Sequence, residues 1–248
     1  MGSRSGKPWF RSLSRNAGNL DKPDGQYRDL FVRLGNELAK SNLTRAVELG
    51  ASALSIAAAQ GWFHLAVPVH FALAAGFTSA GRFAESLASY ANAEHVALRG
   101  ETEGTEDARP ACRTLRLHAR LGQGATLVAA KAWDAAARLY EETAPVAREC
   151  GDARSELDCY RLASFAHEQA GRDERAFDVG AQGLGIARTM EPELLQSSTF
   201  PYLGVALLRL CEAPARQPLA PRIEQEIQSI AGTPDWRPKP AGGEAAAT

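Results

Sequence analysis

The seventeen residues from Gly81 to Ala97, GRFAESLASYANAEHVA, recur three more times with their small and bulky positions in the same places. The copies start at Ser41, Gly81, Lys131 and Gly171, so the spacings are 40, 50 and 40 residues. Reading down the aligned copies gives Leu43, Phe83, Trp133 and Asp173, then Ala46, Ser86, Ala136 and Ala176. Next come Gly50, Tyr90, Tyr140 and Gly180, then Ala53, Ala93, Thr143 and Gly183, and an Ile or Val followed by Ala closes every copy. Self-similarity at a fixed period is the signature of a repeat architecture, in which each unit buries its apolar face only by stacking on a neighbour. Small residues at fixed intervals mark close helix contacts. The row Ala46, Ser86, Ala136 and Ala176 is therefore expected to be buried where the two helices of each pair meet.

Helical periodicity fills the intervals between the copies. Tyr27, Leu30, Phe31, Leu34 and Leu38 follow the spacing of one apolar helix face, and Ser41-Asn42 ends that helix. The first copy then runs as a second helix to about Gln60, where Gly61 is a plausible stop. Trp62 to Ala80 reads as the next partner helix, with Pro68 in its first turn or marking a kink, and the second copy runs to about Leu98. Residues Arg99 to Arg109 (RGETEGTEDAR) are acidic, glycine-containing and aperiodic, and they account for the one spacing of 50, so they read as an inserted, mobile loop. Pro110 suits the first turn of a helix to about Ala130. Lys131 to Glu149 is the third copy, bent at Pro145; Ala153 to Ala170 and Arg172 to about Arg188 complete the fourth pair.

The ends differ in character. Residues 1–24 are basic, with scattered Gly, Ser and Pro, and are expected to be a disordered tail, although Trp9, Phe10 and Leu13 fall at helical spacing beside Arg11 and Arg15 and could dock on a groove, a partner or a membrane surface. Glu193 to Glu212 and Ala220 to Ala231 are expected to be a polar-backed pair that caps the array, and 232–248, rich in Pro, Gly and Ala, a disordered tail. The repeat domain thus spans 25–231.

Composition excludes several classes. With 28 basic and 29 acidic residues the chain lacks the positive surface that a general nucleic-acid binder needs. No apolar run reaches the ~18 residues of a membrane span, and the basic N-terminus lacks the apolar core of a secretory signal. Cys112, Cys150, Cys159 and Cys211 form no CxxC pair and have no His at zinc-ligand spacing, so they read as reduced core residues of a cytoplasmic protein. The preponderance of Arg over Lys, with abundant Ala, is a bias associated with high-GC bacterial genomes.

Helix pairs with small residues at matched points resemble the tetratricopeptide repeat (TPR) family, whose pattern is W-x2-L-G-x2-Y, then A-x3-F, then P. The second unit matches best, through Leu73-Ala74, Phe77, Ser86, Tyr90 and Ala93. The third has Gly124, Leu127, Ala136, Tyr140 and Thr143; the fourth has Ser164, Ala176 and Gly183; the first keeps Ala46 and Ala53. The closing Pro is replaced by Ala58, Leu98, Arg148 and Arg188, and the period is 40 where the standard repeat has 34. Elongated units of this kind resemble those of kinesin light chains and of sensor regions in some bacterial regulators. The resemblance implies an all-α fold, an α-solenoid of antiparallel helix pairs with about four TPR-like units plus a C-terminal capping pair. It also implies a concave groove lined by the first helix of each unit, here Arg28, Phe31, Phe71, His118, Leu121, Val128, Asp158, Arg161, Phe165 and Glu168. The Lys, Arg and Asn that clamp a C-terminal carboxylate in co-chaperones of the family are replaced mostly by Phe, Leu, Gly and Ala.

No enzymatic signature emerges. His167-Glu168 begins like a zinc-protease motif, but Gly171 stands where its second His belongs. Gly122-Gln123-Gly124 lies inside a helical pattern with no preceding strand, and His64, His70, His95 and His118 form no ligand or catalytic set. No metal or other cofactor is expected. The reading is a protein-binding adaptor, scaffold or chaperone, such as an accessory of a bacterial secretion system or other multiprotein assembly, that accepts an amphipathic helix or apolar segment; the alternative is a peptide- or small-ligand-sensing module. Phe31, Phe71 and Leu121 would form the apolar column of the groove, ended by Arg161.

Overall fold

The computed structural model describes residues 25–187. The proposed capping pair and both tails lie outside the described residues. Within them the chain is all-helical: α1 (Gly25–Ala39), α2 (Leu43–Ala59), α3 (Phe63–Ser79), α4 (Phe83–Glu103), α5 (Arg109–Ala129), α6 (Trp133–Glu149), α7 (Ala153–Gln169) and α8 (Asp173–Ala187). It divides into two compact units, one ending at Ala119 and the other beginning at Arg120.

One junction, used six times, produces this order. The middle residue of each three-residue link has a left-handed φ: Ser41 at 59°, Gly61 at 66°, Gly81 at 73°, Lys131 at 57°, Gly151 at 69° and Gly171 at 72°. Around it the backbone forms the same two bonds each time. The amide of Gly81 donates to the Thr78 carbonyl at 3.0 Å and that of Arg82 to the Phe77 carbonyl at 2.9 Å; Lys131 and Ala132 repeat this onto Val128 and Leu127. These are the paired bonds of a Schellman motif, which satisfy carbonyls that a helix end leaves open. The residue after the left-handed one is also the N-cap of the next helix, and its carbonyl accepts the first helical bond: Ala46 onto Asn42, Ala66 onto Trp62, Ser86 onto Arg82, Ala136 onto Ala132. Stop and start share three residues, so α2, α3, α6 and α7 are all 17 residues long and the structural period is 20 residues, half the period seen in the sequence.

In the first unit α1 packs on α2 and α3, α2 on α3, and α3 on α4. One core cluster joins Tyr27, Leu34, Ala46, Leu49, Ala53, Val69, Leu73 and Phe77. Its α1 end is fixed by the Tyr27 hydroxyl, which donates to the Leu65 carbonyl at 2.5 Å. A second cluster joins Val67, Phe71, Ala93, Ala97, Leu115 and Ala119 from α3, α4 and the first half of α5. In the second unit α6 packs on α7 and α7 on α8 around Ala136, Ala137, Tyr140, Ala144, Cys159, Ala163, Ala166 and Val179. Ala46, Ser86, Ala136 and Ala176 are all fully buried, as their size implied. Ser86 also bonds Thr78 across the α3–α4 contact at 2.7 Å.

The segment Arg99 to Arg109 corrects the sequence expectation. It is mostly helix: α4 continues to Glu103, α5 begins at Arg109, and Gly104 to Ala108 alone lie between. Each helix is 21 residues long where α2, α3, α6 and α7 are 17, and the link is two residues longer, which absorbs the ten extra residues. Charge pairing explains why so polar a stretch is helical. Arg99 pairs with Glu103 one turn on, at 2.6 Å, and lies over the Phe63 ring at 5.2 Å. Glu101 reaches Arg116 on α5 at 3.1 Å, with Arg113 at 3.8 Å. Gly100 is a close-packing residue: a Cβ there would sit 2.4 Å from the Cys112 sulfur. Two prolines sit inside unbroken helices, Pro68 in α3 and Pro145 in α6.

Lys131 and Ser41 carry the left-handed cost that glycine avoids, roughly 1 kcal/mol each. Lys131→Gly and Ser41→Gly should therefore raise the urea midpoint, and Gly81→Ala should lower it by a comparable free energy. The opposite order would contradict a left-handed junction.

Candidate binding face

The first helix of each repeat (α1, α3, α5, α7) carries four residues at spacings of three, four and three that fall on one stripe. In order along the stripe they are Arg28, Phe31, Gly35 and Leu38 on α1; Pro68, Phe71, Ala75 and Thr78 on α3; His118, Leu121, Ala125 and Val128 on α5; and Asp158, Arg161, Phe165 and Glu168 on α7. The third position is exposed on all four helices, with Gly35, Ala75 and Ala125 small and Phe165 the exception. The fourth is half-buried on every helix. On α1, α3 and α5 the stripe thus has a small exposed residue at its third position, and on α7 an exposed Phe165.

The expected groove residues do not all lie in it equally. Phe71 is only 7% exposed; it belongs to the core cluster with Leu115 and Ala119, and its ring lies 5.7 Å from that of Tyr90. It supports the strip from beneath. Phe31 is half-buried and stacked on Tyr27 at 6.1 Å, while Leu121 and Val128 are half-buried against the second unit's core. Phe165 is the most exposed of the aromatic candidates at 38%, and its ring meets Trp133 edge-on at 5.9 Å. Arg28 is exposed; His118 and Glu168 are half-buried. Arg161 is bonded to Asp158 one turn away at 3.3 Å, so its charge is already partly answered. Ala75, Ala125 and Gly35 carry no chemical signal in the sequence because they are small; only their register identifies them.

The ionisable groups of the interior are engaged structurally. Burial pushes the Cys112 thiol up to about 11 and the Cys159 thiol up to about 12, with neighbouring carboxylates adding to the effect, so both are held as thiols. Burial also lowers His70 below the usual histidine range. His167, at 3% exposure, bonds Glu141 across α6 and α7 at 2.5 Å. No local pattern signals this pair, whose members are 26 residues apart. Among the described residues no three His, Cys, Asp or Glu side chains gather as a metal site would require. No helix there is long and apolar enough to cross a membrane.

No protein-family model and no curated protein matches the chain. Solved structures do. A kinesin light chain-like protein of nearly identical TPR-like repeats from Podosopora anserina aligns with a TM-score of 0.55 at 15% identity, over 85% of this chain and 98% of that one. A single-residue variant of the same Podosopora protein aligns at 0.53 and 14%, over 86% and 100%. The fold is TPR-like. BtubC (BKLC) from P. vanneervenii covers 91% of this chain and 99% of its own at a TM-score of 0.45 and 11% identity. At these identities the likeness to the Podosopora repeats concerns the TPR-like fold: all-α, an α-solenoid of consecutive antiparallel helix pairs.

Two glycines of the TPR-like first helices test the stripe. A Cβ at Gly35 would meet nothing within 4 Å, whereas one at Gly124 would lie 2.5 Å from the ring of Tyr140, itself 1% exposed. Gly35→Ala should stabilise the protein by up to ~1 kcal/mol through helix propensity, and Gly124→Ala should destabilise it by ~1–3 kcal/mol through overpacking. Thermal or urea unfolding of the two variants reads the difference directly.

Proposed function

We propose that this chain is a protein-binding scaffold that receives an extended or helical segment of a partner on the stripes that the first helices carry within each compact unit. The observation that carries this reading is the recurrence of an exposed third position at Gly35, Ala75, Ala125 and Phe165, while the neighbouring positions of the stripe are largely packed. Small exposed residues in register let a partner backbone approach closely, and half-buried side chains on either side offer apolar contact without costing solubility. A helical-repeat fold suits such use because successive units present equivalent positions to a long ligand. The proposed partner is a protein or peptide with apolar side chains at helical spacing, which makes the chain an adaptor or chaperone-like accessory of a larger assembly.

Because Phe71 is core, the stripe is better tested at its exposed small positions than by cutting Phe71 back. A photo-crosslinking residue placed at Ala75 or Ala125 should give one dominant protein adduct in cells, whereas the same residue at exposed Arg138 on α6 should give none. Adducts from Arg138 alone would put the partner on the second helices, and stabilisation of the purified protein by a small metabolite, without any adduct, would favour a sensor.

A further inference from the structure

We propose that the Glu141 carboxylate is an acid-sensitive clasp that holds α8 onto α6 and α7, so that α8 opens ahead of both when that carboxylate is protonated. Glu141 is in the middle of α6, and each of its oxygens is committed to a different helix. Oε1 faces His167 Nε2 in the last turn of α7, and Oε2 accepts a bond from Arg175 in the first turn of α8. A second bridge runs in parallel, from Asp134 on α6 to Arg172 at the start of α8, at 2.7 Å. These two bridges differ in kind from the other ion pairs described. Asp29–Arg33, Arg82–Glu85, Arg99–Glu103 and Asp158–Arg161 stay within one helix, and Glu101–Arg116 and Arg148–Glu156 join a helix to the next. The α6–α8 bridges reach past the intervening helix, and both place their arginine at the N-terminal end of α8.

The surroundings make Glu141 the controlling member. His167 is buried, and its Nε2 faces the Glu141 carboxylate at 2.5 Å, so this oxygen is engaged inside the α6–α7 contact and not by solvent. The charged groups acting on Glu141 are His167 from α7 and Arg175 from α8; Arg120 on α5 goes to Glu142 instead. Burial alone would raise the Glu141 carboxyl, but the bonds from His167 and Arg175 outweigh it and hold the carboxyl below the usual range. A depressed carboxyl stabilises the state that depresses it at pH values above its free pKa, and that contribution is lost as pH falls through the lowered value. Phe177 and Val179 keep α8 docked through the core, so the clasp governs how readily the helix opens, on top of that apolar hold.

Amide hydrogen exchange on the full chain, corrected for the intrinsic rate at each pH, tests this. Protection of the α8 amides relative to those of α7 should fall as pH drops through and below the ordinary carboxyl range, by about tenfold for each tenfold by which the bonds strengthen the acid. Glu141→Gln should lower α8 protection at neutral pH and remove its pH dependence. Arg175→Gln alters an exposed side chain and leaves the Glu141–His167 bond in place, so it should loosen α8 while α7 keeps its protection. Parallel protection of α7 and α8 at every pH, or a pH dependence that survives Glu141→Gln, would overturn the proposal.

Discussion

The left-handed residue at the centre of each link is the constraint on which the rest of the structure depends. It lets the chain end one helix and cap the next within three residues, using backbone bonds alone at Trp62, Arg82 and Ala132 and adding a side-chain cap at Asn42 and Asp152. A junction so short forces neighbouring helices to run antiparallel. Because it recurs every 20 residues within each compact unit, at 41, 61 and 81 and again at 131, 151 and 171, it gives the helices between these points the same length and the same register. Rows of equivalent residues exist because the junction counts for them.

Close approach then follows from size. Fully buried Ala46, Ser86, Ala136 and Ala176 let second helices seat against first helices, and Gly124 accepts the Tyr140 ring where any larger residue would collide. Interiors packed at this density tolerate few changes, so the small rows are as binding a specification as the apolar ones. What the packing leaves exposed on the stripe of each first helix is its third position: Gly35, Ala75, Ala125 and Phe165.

Much of this is legible in the sequence, and the misses have physical causes. Gly61, Gly81, Gly151 and Gly171 mark helix stops by their chemistry, and the repeat fixes the helix order. Ser41 and Lys131 occupy the same backbone state without advertising it, which hides the 20-residue period. The acidic stretch after Leu98 reads as a loop because it lacks an apolar periodicity and because Arg113 and Arg116, which answer Glu101, lie on the next helix; the Arg99–Glu103 pair is the one local sign of helix in it. Gly100 reads as a loop signal for the same reason, although it is small because Cys112 presses on it. On the stripe of the first helices, Phe71 stands out by size and proves to be core, whereas Ala75 and Ala125 are exposed but chemically silent. The Glu141–His167–Arg175 set joins three helices and leaves no local pattern at all.

The junction can be measured without reference to any partner. Backbone chemical shifts and three-bond amide-to-α-proton couplings on the isotopically labelled chain report φ at individual residues. Left-handed values are expected at the two non-glycine centres, near the 59° of Ser41 and the 57° of Lys131, with uninterrupted helical shifts from Phe83 through Glu103. Negative φ at Ser41 and Lys131, whether from helices that run through the links or from a different turn, would contradict the shared junction.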